Sequence, residues 1–298
     1  MPWKKIGRIF CPHENYEWMC SHAALPIAEH RSVDIYRIYF SSRNRENISS
    51  IGYLDIDLNA PCNVLNLSNK PVLRAETSQK FEKHGVTASS IIKNQYGTCM
   101  YYTGWNLEAD TPWKNEHGLA IRMDDGNIFV KHRANPVLES GDIDPFSISY
   151  PYVLKLDEHY KMWYGTFLNW DKANATTNHS IRSAISQDGI YWEKNNKIEI
   201  HKNTAEIGIS RPCVILSTEG FEMWYSYRGM EYMIGYARSE DGSNWTRMDD
   251  EVGISTSGRG WDSKAIAYPY VFEHKGSRFM LYNGNDYGRT GFGIAIFE

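Results

Sequence analysis

Residues 150–167 of the chain read YPYVLKLDEHYKMWYGTF, a short apolar run, a polar turn and a second run that carries an aromatic pair. This pattern predicts two antiparallel β-strands joined by a hairpin. Similar segments begin at residues 24, 89, 211 and 268. The equivalent positions in the five copies are spaced 64, 61, 61 and 57 residues apart, and they are Pro26, Ser90, Pro151, Pro212 and Pro269. A repeat of about 60 residues therefore accounts for nearly the whole chain.

Two of the copies continue into a further motif, SQDGIYW at 186–192 and SEDGSNW at 239–245. Asp-Gly favours a tight turn, so Asp188 and Asp241 are predicted turn residues between a third and a fourth strand. Four antiparallel strands form one blade of a β-propeller. We therefore predict an all-β fold, a single five-bladed propeller domain over residues 1–298. Two β-sandwiches, the competing arrangement, would not repeat one motif five times at near-constant spacing.

The last copy ends in GFGIAIFE at 291–298, its third strand, and no residues remain for a fourth. The segment WKKIGRIF at 3–10 also has the pattern of a strand. We predict that this N-terminal strand is the outer strand of the last blade, where it closes the ring and removes an unpaired edge.

Composition limits the possible partners. The chain has 32 Lys+Arg against 36 Asp+Glu and no basic run, which argues against binding to nucleic acid or to a membrane surface. No apolar segment is long enough for a membrane span or a signal peptide. Five scattered cysteines favour reduced thiols, and we predict a cytoplasmic protein. No cluster has the spacing of metal ligands, so neither a metal nor another cofactor is predicted.

Three segments resemble a known group of enzymes: WDSKAIAYPYVFEHKGSRFMLYNGND at 261–286, ISYPYVLKLDEHYKMWYGTF at 148–167 and ARSEDGSNWTR at 237–247. They are similar to the five-bladed propellers of glycoside hydrolase families that act on arabinofuranosides, xylosides, fructosides and β-mannosides, a group that includes arabinanases, fructosidases and β-mannoside phosphorylases. The resemblance implies a substrate site at one mouth of the central channel. It also implies a carboxylate base, a carboxylate modulator and a Glu acid on the first three blades.

The catalytic carboxylates that the resemblance implies are not matched. Glycoside cleavage ordinarily uses two carboxyl groups, one to protonate the leaving oxygen and one to activate water or attack the sugar. The equivalent positions here hold His22, Val86 with Thr87, and residues 147–149, which are Ser-Ile-Ser. The usual hydrolytic triad is therefore not carried over.

The first two strands of a blade run antiparallel, so the start of the first strand and the end of the second meet at the same mouth. We predict a site formed by residues at these places. The predicted substrate-binding residues are Arg43, Thr87, Trp105, Asn106, Ser149, Tyr150, Arg211, Arg228, Lys264, Tyr268, Asn283 and Asn285. The predicted catalytic residues are Asp286, Glu206 and His22.

The cations of this site favour a ligand with phosphate or carboxylate, because a guanidinium binds such groups bidentately. We predict a carbohydrate-active enzyme acting at a glycosidic bond of a sugar, oligosaccharide or polysaccharide, with an anionic partner such as phosphate, a sugar phosphate or a nucleotide-sugar. Asp286 or Glu206 would transfer a proton, and His22 would orient or share it. With one carboxylate absent, phosphorolysis or glycosyl transfer is favoured over hydrolysis.

Two alternatives stay open. The protein could be a sugar-binding or scaffold propeller without catalysis, an interpretation that the missing triad supports. The arginines could be paired with acids such as Glu17, Asp144 or Asp262 between blades, and Asp286 could serve only as a turn residue.

Overall fold

The computed structural model describes residues 2–76, 78, 81–107, 113–123, 126–171 and 176–298, and almost all of its regular structure is β. No helix in these residues is long and apolar enough to cross a membrane. A 3-10 turn lies at Asp249–Glu251 and a short helical segment, α1, at Asn285–Gly288. The strands are β1 (Trp3–Phe10), β2 (Ser21–Ser32), β3 (Ile35–Arg43), β4 (Ser49–Asp57), β5 (Val64–Leu67), β6 (Gly85–Asn94), β7 (Gly97–Asn106), β8 (Lys114–Arg122), β9 (Val130–Lys131), β10 (Ser147–Lys155), β11 (Tyr160–Asp171), β12 (Thr176–Ser186), β13 (Glu193–Ile200), β14 (Gly208–Ser217), β15 (Gly220–Arg228), β16 (Tyr232–Ser239), β17 (Thr246–Arg247), β18 (Ala267–His274), β19 (Ser277–Asn283) and β20 (Phe292–Phe297).

The strands pair in sequence order into antiparallel sets. Strands β2 to β5, β6 to β9, β10 to β13 and β14 to β17 each form such a set, and we call these sets A, B, C and D. Set E consists of β18, β19, β20 and β1. The prediction that the N-terminal strand joins the last set is confirmed, since Trp3 pairs with Phe297 and Phe10 with Phe292.

Sets A and E, the first and last along the chain, lie against each other. The hydroxyl of Tyr36 is 3.2 Å from Nδ1 of His274, and the other ring nitrogen of His274 is 2.7 Å from the Asp34 carboxylate. Lys275 donates to the same carboxylate at 2.6 Å. The two ends of the chain's repeat are therefore in direct contact.

Buried aromatic rings on the second strands pack over glycines on the third strands. Tyr102 is the cross-strand partner of Gly118, and a Cβ at Gly118 would lie 2.1 Å from the tyrosine ring. The same pairing joins Tyr225 to Gly235, where a Cβ would lie 2.4 Å from the ring. Any larger residue would displace the ring, so glycine is required for close packing at these positions.

An ion pair holds the segment that enters the first strand of sets B to E. The carboxylate lies just before that strand, and the cation lies on the outer strand of the same set. We call this contact the entry clamp; its members are Glu82–Lys131 at 2.8 Å, Asp144–Lys194 at 2.8 Å, Glu206–Arg247 at 2.7 Å and Asp262–Lys5 at 2.6 Å.

Set A has an apolar replacement for the entry clamp. Met19, fully buried, occupies the position of the carboxylate, and buried Phe40 replaces the tyrosine found on the second strand of sets B to E. In sets C and E that tyrosine donates its hydroxyl to the clamp carboxylate, from Tyr164 to Asp144 at 3.0 Å and from Tyr282 to Asp262 at 3.1 Å. The hydroxyl and its acceptor are thus lost together, which avoids an unpaired buried polar group.

A bulge interrupts the first strand in four sets at the residue before proline. Leu25, Tyr150, Arg211 and Tyr268 all have left-handed φ, between 50° and 57°. The strand register shifts across each of them. A bulge re-aims a side chain relative to its strand, and Leu25, Tyr150 and Tyr268 line the cavity described next.

Candidate functional site

A cavity of about 370 Å³ lies where the strand ends of several sets meet. It contains seven of the predicted site residues, which are His22, Arg43, Thr87, Trp105, Tyr150, Arg228 and Tyr268. The other residues that line it are Ala24, Leu25, Ser41, Ser49, Thr103, Leu107, Trp113, Asn115, Tyr232 and Tyr287.

Tyrosine rings form one wall of the cavity. The ring centroids of Tyr150 and Tyr268 are 5.7 Å apart, those of Tyr232 and Tyr268 are 5.7 Å apart, and those of Tyr232 and Tyr287 are 5.5 Å apart. Such edge-to-face and tilted contacts stabilise aromatic clusters and leave ring faces available to a ligand. The wall is therefore a rigid surface that is apolar in its centre, with hydroxyl groups at the tyrosine tips.

Arg43 contributes a cation to the cavity without a carboxylate partner among the residues that the structure describes. Its guanidinium donates to Oδ1 of Asn47 at 2.9 Å and lies 5.5 Å from the ring centre of Trp105. Burial lowers the pKa of Arg43, since the charged form loses hydration. The guanidinium remains protonated nevertheless, so an anion in the cavity would compensate for that lost hydration.

Arg228 is a second such cation. Its guanidinium lies 5.6 Å from the ring centre of Tyr232 and 5.7 Å from that of Tyr287. It makes no ion pair within the described part of the chain. Of the acids considered as partners for the arginines, Asp144 and Asp262 are already engaged in entry clamps.

His22 is a neutral group in the cavity. Its Nδ1 lies 2.9 Å from the hydroxyl of Ser21. Burial, together with the positive charges of Arg43 and Arg289, lowers the pKa of His22 to about 4. The imidazole is therefore uncharged near neutral pH, with one ring nitrogen that donates a hydrogen bond and one that accepts.

Acidification should destabilise the protein through His22. The unfolded residue has a pKa near 6.5 and the folded one about 4, so the unfolded state binds more protons between these values, and the free energy of unfolding falls as the pH drops from 6.5 to 4. His22→Asn should reduce the change of the free energy of unfolding with pH, because it removes the titrating imidazole. Asparagine is the replacement of choice because it tolerates the left-handed φ of 60° at this position. Urea unfolding at pH 6.5 and 4.5 measures the difference in the free energy of unfolding between these two pH values. His13→Asn, at an exposed histidine, is the control. If the free energy of unfolding of His22→Asn changes with pH as much as that of the wild-type protein, the lowered pKa of His22 is contradicted.

Arg211, predicted to bind substrate, is completely buried and is not part of the cavity lining. It donates to the backbone carbonyls of Ser89 and Pro26, which belong to sets B and A, while Arg211 itself belongs to set D. Its Nε has no hydrogen-bond partner within the described residues. The Arg211 side chain therefore links three sets instead of lining the cavity.

Several predicted binding residues do not line the cavity and instead bond to backbone groups. Asn106 accepts from the amide of Lys83, Asn283 bonds the backbone of Ala23, Leu25 and Gly291, and Asn285 accepts from the amides of Lys264 and Ala265. These side-chain amides fix the backbone of the residues that they contact. Ser149 is buried and Lys264 is exposed, and neither lines the cavity.

The two predicted catalytic carboxylates do not line the cavity. Glu206 is 9% exposed, and both its oxygens pair with the guanidinium of Arg247 in the set D entry clamp. Asp286 is exposed, with φ 55° and ψ 49°, and directly precedes Tyr287, which lines the cavity. Asp286 is thus next to the site, whereas the contacts of Glu206 are those of a structural residue.

Sequence reasoning missed Trp113, Tyr232 and Tyr287. Trp113 directly precedes the third strand β8, Tyr232 is the first residue of the third strand β16, and Tyr287 lies in α1, ahead of β20. A third strand runs parallel to the first strand of its set, so its start lies at the same mouth. The starts of the third strands therefore indicate Trp113 and Tyr232, whereas Tyr287 belongs to α1 and no strand pattern indicates it.

Comparison with solved structures identifies the fold. A glycoside hydrolase matches with a TM-score of 0.77 and 17% identity, over 98% of this chain and 90% of its own. A glycosyl hydrolase from Bacteroides ovatus matches with a TM-score of 0.75 and 14% identity, over 99% and 93% of the two chains. A structure described as showing that the GH130 family of mannoside phosphorylases contains glycoside hydrolases that target β-1,2 mannosidic linkages in Candida mannan has a TM-score of 0.71 and 16% identity, over 99% and 93%. The chain therefore has the same fold as these solved structures.

Sequence comparison places the chain in a narrower group. The uncharacterized proteins MT1551 and Rv1502 of two Mycobacterium tuberculosis strains, CDC 1551 and H37Rv, are 43% and 42% identical to it over the full length of both chains. This chain belongs to the same family as these two proteins. No family model matches it.

Proposed function

We propose that sets A to E are the five blades of one ring formed by a single domain, with the cavity at one mouth of its channel. The contact between sets A and E supports closure, as does the bond network of Arg211, which joins sets A, B and D. The left-handed residues before proline support a common blade structure. Ring closure would place Leu25, Tyr150, Arg211 and Tyr268 around one axis.

We propose that the protein is a carbohydrate-active enzyme that acts at a glycosidic bond, with an anionic group on the substrate or the co-substrate. The observation that carries this proposal is the pair of partly buried arginines, Arg43 and Arg228, that face an aromatic-walled cavity without a carboxylate partner in the described chain. Aromatic faces suit the apolar face of a sugar ring, and arginines suit phosphate or carboxylate. The names of the structural neighbours, which refer to glycoside hydrolases and mannoside phosphorylases, support the same class of reaction.

Phosphorolysis or transfer fits the cavity better than hydrolysis with two carboxylates. Phosphate held by Arg43 and Arg228 would form a bond to the anomeric carbon as the glycosidic C–O bond breaks, and the leaving oxygen would take a proton from an acid. The proton of hydrogenphosphate would then restore the acid, so the charges balance. Asp286, beside Tyr287, is the proposed acid, and His22, neutral at pH 7, would share the proton.

A second candidate function is sugar binding without catalysis. It is favoured by one observation: none of the described residues that line the cavity is an Asp or a Glu. In this alternative the tyrosine wall and the arginines bind an acidic sugar or a sugar phosphate, and Asp286 is only a turn residue.

Aryl-glycosides separate these functions. We expect the protein to release nitrophenol from one member of a panel of 4-nitrophenyl glycosides when inorganic phosphate is present. Asp286→Asn should slow the phosphorolysis of the corresponding alkyl glycoside, whose leaving oxygen needs a proton, by at least about 100-fold. Release that does not depend on phosphate would contradict phosphorolysis. Binding of the sugars without any release, with or without phosphate, would favour the non-catalytic alternative. The cytoplasmic location inferred from the cysteine pattern stays a prediction.

A further inference from the structure

A second open groove, of about 500 Å³, lies beside the cavity on set A. Three segments form it: the one that precedes β2, the turn between β3 and β4, and the one that leads towards β6. Its polar lining includes Tyr16, Glu17, Asn44, Asn69, Lys70 and Arg74. None of these residues belongs to the cavity lining or to an entry clamp.

The groove and the cavity share one wall, the turn between β3 and β4. Arg43 and Ser49 of this turn line the cavity, whereas Asn44, Ile48 and Ser50 line the groove. The two strands that carry the turn pair directly, and paired strands lie only about 5 Å apart. A chain molecule that leaves the cavity over this turn would therefore enter the groove directly.

The turn that separates the two sites is well held. Oδ1 of Asn44 accepts from the amides of Glu46 and Ile48 at 3.0 and 2.8 Å. Arg45 pairs with Glu14 at 3.0 Å, which links the turn to the segment before β2. The side-chain Nδ2 of Asn44 makes no hydrogen bond within the described chain and is available to a ligand. Because the turn between β3 and β4 is fixed in this way, the cavity and the groove can bind one molecule together without a rearrangement of the turn.

The floor of the groove is rigid as well. Trp18 is 8% exposed and donates its indole N–H to the carbonyl of Asn69 at 3.2 Å. Its ring stacks on Phe40, with centroids 6.4 Å apart. The carbonyl of Asn69 is thereby fixed, while the Asn69 side chain remains exposed.

The charged groups of the groove are not neutralised by one another. Glu17, Lys70 and Arg74 are exposed and make no ion pair among the residues described by the structure. In sets B to E the acid before the first strand is engaged by the clamp, but Met19 occupies that place in set A, and Glu17 remains unengaged. The groove therefore offers a carboxylate acceptor, two cationic donors and two amides, a mixture that suits sugar hydroxyls, each of which both donates and accepts.

We propose that this groove is a second carbohydrate subsite, which binds the sugar units that follow the one held in the cavity. The substrate is then an oligosaccharide or polysaccharide chain, and a single sugar fills only part of the site. This inference rests on the proposed function of the cavity, because the same chain must occupy both places.

A glycan array with size ladders tests the subsite. The probes are uronic acid, mannose and glucose chains of one to six units, each also with a terminal phosphate. We expect the wild-type protein to bind chains of three or more units at least about tenfold more tightly than the single sugar of the same ladder. The double change Lys70→Ala and Arg74→Ala should remove this gain and leave the affinity for the single sugar unchanged.

A charge-matched control separates local contacts from a loss of net positive charge. Lys93→Ala with Lys155→Ala removes two exposed lysines at the far ends of the first strands of sets B and C, and should keep the gain with length. The subsite is overturned if the Lys70→Ala and Arg74→Ala double variant still binds longer chains more tightly than the single sugar. It is also overturned if the wild-type protein shows no such gain with chain length. Single-sugar binding that is lost in Arg43→Ala, with no dependence on length, keeps the proposed function and rejects the groove. No binding to any ladder rejects both.

Discussion

Asp144→Ala should lower the free energy of unfolding by about 3–5 kcal/mol. The Asp144 carboxylate is fully buried and pairs with Lys194 at 2.8 Å and with Arg182 at 3.1 Å. It also accepts the hydroxyls of Tyr164 and Thr166. Removing it leaves two cations in a poorly hydrated site without their counter-charge, which costs more than the ion pairs themselves contribute.

Urea unfolding followed by tryptophan fluorescence measures the loss. Asp142→Ala, two residues away at an exposed position, is the control and should change the free energy of unfolding by less than about 0.5 kcal/mol. Adding Lys194→Met to Asp144→Ala should restore part of the stability, because one unpaired cation is removed. A loss below about 1 kcal/mol in Asp144→Ala would contradict the view that entry clamps hold the segments between sets.

Arg43→Ala and Arg228→Ala should each weaken the binding of an anionic sugar by about 10- to 100-fold. Both guanidinium groups face the cavity without a carboxylate partner in the described residues, so an anion would be their principal counter-charge. Lysine at either position should recover only part of the affinity, because it keeps the charge and loses the bidentate geometry. The double variant should lose the preference for charged over neutral sugars.

Isothermal titration with a uronic acid, a sugar 1-phosphate and the matching neutral sugar checks this prediction. Arg259→Ala removes an exposed arginine away from the lining and should bind as the wild-type protein does. The affinity of the wild-type protein for charged ligands should fall with added salt, less steeply than for a surface site because the arginines are partly buried. Equal affinities for charged and neutral sugars in the wild-type protein would contradict an anion-binding cavity.

The repeat predicted much of the molecule. Hairpins at the predicted segments are present, and Asp188 and Asp241 accept from following backbone amides as turn residues do. The pairing of the N-terminal strand with β20 also follows from the sequence. These features depend on the alternation of apolar and polar residues, on turn residues and on the need to pair an exposed strand edge. All three can be identified in the sequence.

The candidate site could be predicted only in part. Strand starts and ends indicated Arg43, Trp105 and Tyr150 because strand direction alone places them at the mouth. The assignment of Glu206 to catalysis assumed that its loop carries the side chain to the cavity. The position of that loop depends on partners that are distant in sequence, such as Arg247 on another strand. The same holds for Asn283 and Asn285, whose amide groups are engaged by backbone far away along the chain.

The sequence by itself determined the β class, the 60-residue repeat and the residues that can reach the mouth. Side chains alternate between the two faces of a strand, and a hairpin reverses the direction of the chain. The face and the strand end at which a residue lies therefore follow from its position in the sequence. Only the tertiary structure decided which charges face the cavity. Pairing between residues distant in sequence neutralises Asp144, Glu206 and Asp262 in the clamps and leaves Arg43 and Arg228 without a carboxylate in the described chain. Which ion pairs form depends on distances between strands, and these distances are fixed only once the sets have packed against one another.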